Sequence, residues 1–151
     1  MRNRSLPTVL TLLVALLAAL PAVADAGKQP RDIDQALVIL TSPDAETRGM
    51  AMVLANAMQS RGTALTFLLC DSAGDLARQD YQTEPPLAPR GMRPEGLLQQ
   101  LQQGGASVEV CALYLPNREL TEDDLRDGVS VAQPDAVVEH MLNPDVRVFS
   151  F

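Results

Sequence analysis

Ala36-Leu37-Val38-Ile39-Leu40-Thr41, running directly into Ser42-Pro43-Asp44, is the stretch on which the fold turns. Its first six residues are an unbroken apolar run rich in branched side chains, which is how a strand buried on both faces reads. A polar lead-in over 25–35 precedes it. After it, Ser42 is placed to cap a helix and Pro43 to occupy its first position. The helical pattern continues to about Arg61, where Gly62 ends it. Met50, Val53, Leu54, Ala57 and Met58 recur at helical spacing and mark the expected core face. Arg48, Asn56 and Gln59 lie opposite. Met52 sits among them, which suggests that this second face is not wholly solvated.

The same rhythm repeats outward from there. Ala64 to Cys70 reads as a second apolar strand. Residues 71–94 then break the pattern with Gly74, Pro85, Pro86, Pro89, Gly91 and Pro94. A short helix around Ala73 to Tyr81 fits there, followed by a loop from Thr83 to Arg93; loops this long in compact domains are usually functional or mobile. Pro94 opens a helix carrying Leu97, Leu98 and Leu101, and Gly104-Gly105 closes it. Val108 to Leu113 is a third strand. Thr121 and Asp124 form a capping box, with Leu120 and Leu125 as its hydrophobic staple. Gly128 cuts that helix short, and Val129 to Val131 adds a brief strand. Pro134 starts a last helix through Leu142, and Val146 to Phe151 is a final strand. Strands alternating with helices imply an α/β fold, a mainly parallel sheet of four to five strands with helices on both faces.

Composition narrows the function classes. The 151 residues are 46% hydrophobic and 21% charged, so neither a disordered nor a collagen-like chain fits. Twelve Lys and Arg against nineteen Asp and Glu give a formal charge of -7, which argues against nucleic acid as a partner. Residues 1–24 read as a secretory signal peptide. Arg2 and Arg4 form its positive start, Val9 to Leu20 is apolar apart from Thr11, and Ala22-Val23-Ala24 is a small-x-small cleavage site. The apolar run is short of the ~20 residues that span a bilayer, so cleavage is expected rather than a membrane anchor. Loss of the two arginines takes the charge from -7 to -9. The expected location is the periplasm, an oxidising compartment.

In parallel sheets, ligands bind beyond the carboxyl ends of the strands. Thr41 to Asp44, Cys70 to Ser72 and Cys111 to Tyr114 qualify. Neither a Walker loop nor a dinucleotide fingerprint is present, and Asp44 and Glu46 would repel a phosphate at the first turn. His140 reads as a solvated histidine favoured by the end of its helix. No ligand spacing for zinc is found, and the methionines are mostly accounted for by initiation or core faces, so no metal or other cofactor is expected. Cys70 and Cys111 remain, each at or near the end of an apolar strand. Three readings stand: a structural disulfide, two buried small hydrophobes, or a reactive thiol holding transferred sulfur as a persulfide.

Val108-Glu109-Val110-Cys111-Ala112-Leu113, then Leu115 to Leu120, Asp127-Gly128-Val129, the Pro134 helix and Val146 to Phe149 resemble the DsrE/DsrF/TusD-like family of small sulfur-relay proteins. Leu37 to Thr41, the Met/Ala-rich helix and Thr66 to Cys70 are similar to that family too. The resemblance implies a three-layer α/β/α sandwich over 25–151, a homo-oligomer, and a thiol that takes sulfur from a donor protein or passes it to an acceptor. Cys111 matches the family's cysteine position, with Cys70 as an additional, resolving thiol. Arg118 is a candidate to bind near Cys111 and lower its pKa; its other reading is a solvated loop charge. A non-catalytic binding or assembly module stapled by a Cys70–Cys111 disulfide is the alternative.

The signal assignment makes a direct expectation. Protein recovered from its native host should begin at Asp25 or Gly27 on N-terminal sequencing, whereas intact Met1 in the soluble fraction would contradict it.

Overall fold

In the computed structural model, residues 33–151 are described; the expected signal segment, 1–24, lies outside them. Among the described residues, five strands form one sheet: β1 (Gln35–Leu40), β2 (Ala64–Leu69), β3 (Ser107–Val110), β4 (Val129–Val131) and β5 (Val146–Ser150). Their order is β4-β3-β2-β1-β5, and every neighbouring pair is parallel. The most continuous apolar runs, β1 and β2, hold interior positions, while β5 at one edge is mostly exposed. Three α-helices accompany them among the described residues: α1 (Ala45–Gln59), α2 (Pro94–Gln103) and α3 (Pro134–Leu142). None of these helices is long and apolar enough to cross a membrane.

Side chains alternate across the sheet, so each strand feeds two cores. Val38, Phe67 and Val108 stand side by side on one face, with Leu40, Leu69 and Val110 in the next row. Met52 and Ala55 of α1, Leu98 and Leu101 of α2, and Leu76 cover that face and form the main core. Leu37, Leu68, Ala132 and Val146 belong to the second face, where Val137 of α3 packs. Helix α3 connects one edge strand, β4, to the opposite edge strand, β5. The result is the expected α/β/α three-layer sandwich.

Two details of α1 differ from the sequence reading. The cap is Asp44, not Ser42: Asp44 Oδ1 accepts from the Thr47 N–H at 2.7 Å, and Pro43 stands outside the helix. Ser42 Oγ instead accepts from the Asp44 N–H at 3.1 Å. A carboxylate is the stronger acceptor and also meets the positive end of the helix. The Thr47 N–H accordingly holds the Asp44 carboxyl below its ordinary range.

The second difference is larger. The face carrying Arg48, Ala51, Met52 and Ala55 is the buried one, while Met50 and Leu54 are 56% and 44% exposed. Apolar count favoured the wrong face because the polar side chains on the inner face are satisfied there. Asn56 Nδ2 donates to the Leu97 carbonyl at 3.1 Å and Gln59 Nε2 to the Leu101 carbonyl at 3.0 Å, tying α1 to α2. Gly49 also contributes, since a Cβ there would collide with Leu87 from the 78–93 loop.

That loop is anchored rather than free. Glu95 at the start of α2 is buried and accepts from the Thr83 N–H at 3.0 Å and the Thr83 hydroxyl at 2.8 Å. The expected helix around Ala73 to Tyr81 is a 3-10 turn over Asp71–Ala77. Strand β3 ends at Val110 rather than Leu113, because the Tyr114 N–H turns back to the Cys111 carbonyl at 2.8 Å.

Opposite faces of one helix make a sharp comparison. Met52→Ala should cost about 2–5 kcal/mol, as for other buried large-to-Ala changes. Met50→Ala should stay within about 0.5 kcal/mol, as for exposed sites. Urea unfolding of both variants checks this; equal losses would contradict the orientation of α1.

Candidate functional site

Strands β2 and β3 pair in parallel with Leu69 against Val110. The next residue on each is a cysteine, so Cys70 and Cys111 meet at the carboxyl edge of the sheet. The Cys70 N–H donates to the Leu40 carbonyl at 2.9 Å and the Cys111 N–H to the Leu69 carbonyl at 2.8 Å, the last rungs of their ladders. Their Cα atoms are 5.0 Å apart, within the ordinary span of a disulfide, and the two are bonded. Strand alternation turns both toward the second face, where they pack beside Leu68 and Ala132. Neither is fully buried.

A cavity of about 620 Å³ opens against this pair. Leu68, Ala112, Leu113, Ala132, Val137 and Val138 form its apolar walls, and Asn117 and Arg118 border it. Thus β2, β3, the turn after β3 and α3 each contribute one side.

The turns leaving the two cysteines are locked together. Asp71, directly after Cys70, has φ of 49°, a left-handed conformation that Asp tolerates better than most residues. Arg118 stacks over the Tyr114 ring with its guanidinium carbon 4.3 Å from the centroid. It also lies 3.9 Å from Asp71 Oδ1 and 3.7 Å from Asp75 Oδ1. The Tyr114 hydroxyl donates to Asp75 Oδ1 at 2.6 Å. Burial and that hydrogen bond push the Tyr114 pKa well up. Gly74 lies beneath the same ring, and any side chain there would collide with it. Arg118 is therefore one third exposed and borders the cavity that Cys111 lines, with its charge shared between two carboxylates.

Arg48, assigned by its sequence to a polar outer face, is 3% exposed. It donates to the Ser42 carbonyl at 2.7 Å, the Ser72 carbonyl at 2.5 Å and the Tyr81 hydroxyl at 2.9 Å. One buried guanidinium thus joins the turns that follow β1 and β2. Sequence reasoning missed Arg48, Asp75 and the Gly74–Tyr114 contact. Gly74 within an otherwise helical pattern was the one signal available; nothing local marked Asp75 or Arg48. His140 lies in the last turn of α3 and does not line the cavity. Among the described residues no cluster of His, Cys, Asp and Glu is arranged to hold a metal.

No protein-family profile and no curated protein matches the chain. Solved structures do. The YchN protein from E. coli superposes with a TM-score of 0.62 at 20% identity, over 78% of this chain and 99% of its own. MTH1491 from Methanobacterium thermoautotrophicum, a protein of unknown function, gives 0.57 at 15% identity, over 78% of this chain and 98% of its own. BT1422 from Bacteroides thetaiotaomicron, a conserved protein of unknown function, gives 0.56 at 18%, over 78% and 95%. At these identities the likeness establishes the fold, which agrees with the layered arrangement that the family resemblance implies.

The raised Tyr114 pKa has a pH consequence. Unfolded tyrosine ionises near pH 10.0, while folded Tyr114 keeps its proton further up. Its linked stability is intact below about pH 10 and is lost as pH rises through the folded value. Urea midpoints should therefore fall more steeply above about pH 10 in wild type than in Tyr114→Phe. Parallel pH profiles would contradict this placement of Tyr114.

Proposed function

We propose that this chain is an exported, DsrE-like, homo-oligomeric protein of the periplasm that carries sulfur or thiol redox equivalents on Cys111 and Cys70. One observation carries the reading: two partly exposed cysteines, on adjacent strand ends, form part of a cavity wall at the carboxyl edge of a parallel sheet. A staple serving stability alone has no need of a cavity beside it.

In this reading the disulfide is the oxidised state, and a dithiol reductant opens it to two thiols. The Cys111 thiolate then attacks the outer sulfur of a donor persulfide, R–S–SH, forming Cys111–S–SH and releasing RS⁻. The sulfur passes to an acceptor thiol. Alternatively the Cys70 thiolate attacks Cys111 Sγ, which reforms the disulfide and releases HS⁻. Cys111 is the better nucleophile because Asp71 directly follows Cys70, and an adjacent carboxylate raises a thiol pKa. Arg118 is the substrate-binding candidate, since it borders the same cavity. Support for assembly is the exposed apolar pair Met141 and Leu142 at the end of α3, away from the cavity lining.

The second reading, a non-catalytic oligomeric module, is favoured by the closed disulfide itself. Its cysteines are 41 residues apart in sequence, and closing such a loop stabilises a fold by about 4 kcal/mol in the chain-entropy picture.

Polysulfide treatment of the reduced protein separates the two. Sulfur mass should appear on wild type and on Cys70→Ser, and not on Cys111→Ser. Equal loading of both single variants would remove the role assigned to Cys111. No loading of any form, with a disulfide that resists mild reductant, would favour the staple. Light scattering should give a mass above the roughly 14 kDa of a 127-residue monomer, and a monomer at micromolar concentration would count against assembly.

A further inference from the structure

The walls and the charges of the cavity together select among sulfur donors. Leu68, Leu113, Ala132, Val137 and Val138 offer no hydrogen-bonding side chains to a ligand. The polar groups at its border include the Asp71 carboxylate, and several have partners within the protein. Asn117 Nδ2 donates to the Leu113 carbonyl at 2.7 Å, and the Tyr114 hydroxyl to Asp75 at 2.6 Å. The charge of Arg118 is shared with Asp71 and Asp75. Among the described residues, no buried side-chain polar atom is left without a partner. Glu109 adds a further carboxylate on the sheet face that carries Cys111, and the whole chain has a formal charge of -7. Anionic sulfur donors such as polysulfide, thiosulfate or sulfite would meet the carboxylates of Asp71, Asp75 and Glu109, which outnumber the charge of Arg118, and so a net repulsion. A neutral ligand without hydrogen-bonding groups avoids that repulsion and gains apolar contact.

Resting on the sulfur-carrier reading above, we propose that the cavity binds neutral zero-valent sulfur, cyclo-octasulfur, and presents it to Cys111. After a dithiol has reduced the Cys70–Cys111 bond, the Cys111 thiol gives its proton to water. Its thiolate attacks one sulfur of the ring and a ring S–S bond breaks. The opened chain stays on Cys111 Sγ and ends in a perthiolate that carries the charge. The Cys70 thiol, on the adjacent strand end, then gives its proton to water, and its thiolate attacks Cys111 Sγ. This restores the disulfide and releases the chain as a polysulfide dianion. The two cysteines lose two electrons and the sulfur chain gains them. The product is anionic, so the acidic surroundings that admit the neutral ring favour release.

The experiment supplies equal amounts of sulfur atoms to the reduced, full-length mature protein, either as dispersed cyclo-octasulfur or as polysulfide, and follows Cys111 by intact mass. Sulfur should load faster than polysulfide, and added salt, which screens repulsion, should narrow the gap by raising the polysulfide rate. Making the exposed rim polar but neutral, with Leu113→Gln and Val138→Gln together, should slow loading from cyclo-octasulfur about tenfold through lost apolar contact. Iodoacetamide alkylation of Cys111 should change less than about twofold in that variant, the rate cost being confined to the sulfur donor. Polysulfide loading as fast as cyclo-octasulfur, or a double variant that loads like wild type, overturns the proposal and leaves the sulfur-carrier reading standing. Protection of Cys111 that grows with protein concentration assigns the cavity to a second copy of this chain and also overturns it. Failure of both donors to modify Cys111 removes the sulfur-carrier reading, and the proposal with it.

Discussion

Parallel pairing of β2 with β3, with Leu69 opposite Val110, is the constraint on which the rest of the site depends. A parallel ladder brings strand ends to one edge, so the residue after each last rung meets its counterpart from the neighbouring strand. Here both are cysteines, and a Cα separation of 5.0 Å follows from strand spacing rather than from any loop. A slip of one residue would turn one thiol to the opposite face of the sheet. The register is held by the main core, since Phe67, Leu69, Val108 and Val110 are buried on the face away from the cavity. The chemistry is thus positioned by packing on the other side of the sheet.

Two arginines consolidate the same edge by different means. Arg48 is buried and meets only neutral acceptors among its hydrogen bonds: two backbone carbonyls and a tyrosine hydroxyl. Removing it would leave carbonyls unpaired at the turns after β1 and β2, which is costlier than the bonds themselves are favourable. Arg118 is partly exposed and works through stacking and long ion pairs, a weaker arrangement. Its geometry is nonetheless defined, because Tyr114 beneath it is held between Gly74 and the Asp75 carboxylate. The acidic residues closest to the cysteines are therefore part of the scaffold as well as a source of field.

The two faces of the sheet are covered unequally. Helices α1 and α2 bury one face, and α3 alone spans the other between the edge strands. The cavity occupies the space that α3 leaves near the carboxyl edge. Exposed Leu113 and Val138 line it, and exposed Met141 and Leu142 lie farther along α3. A redox or sulfur-transfer site and an assembly surface are both consistent with that partial cover, and the cysteine pair connects the two readings.

Much of the fold was legible in residue patterns. Unbroken branched runs such as Leu37 to Leu40 marked the strands, because burial on both faces removes any polar alternation. Pro94 and Pro134 marked helix starts, and Thr121 with Asp124 marked a capping box, because these are local backbone requirements. The candidate cysteines were also legible, as residues at the ends of strands. The inner face of α1 was not, since Arg48, Asn56 and Gln59 are tolerated inside only by partners 24 to 42 residues away. The Cys70–Cys111 disulfide was one of several open readings of the sequence, and the cavity beside it and the Tyr114–Asp75–Arg118 contact had no local signal. Local propensity and periodicity reside in the sequence itself; which strand ends become neighbours, and which polar groups find partners on burial, is decided by strand order, a property of the whole sheet.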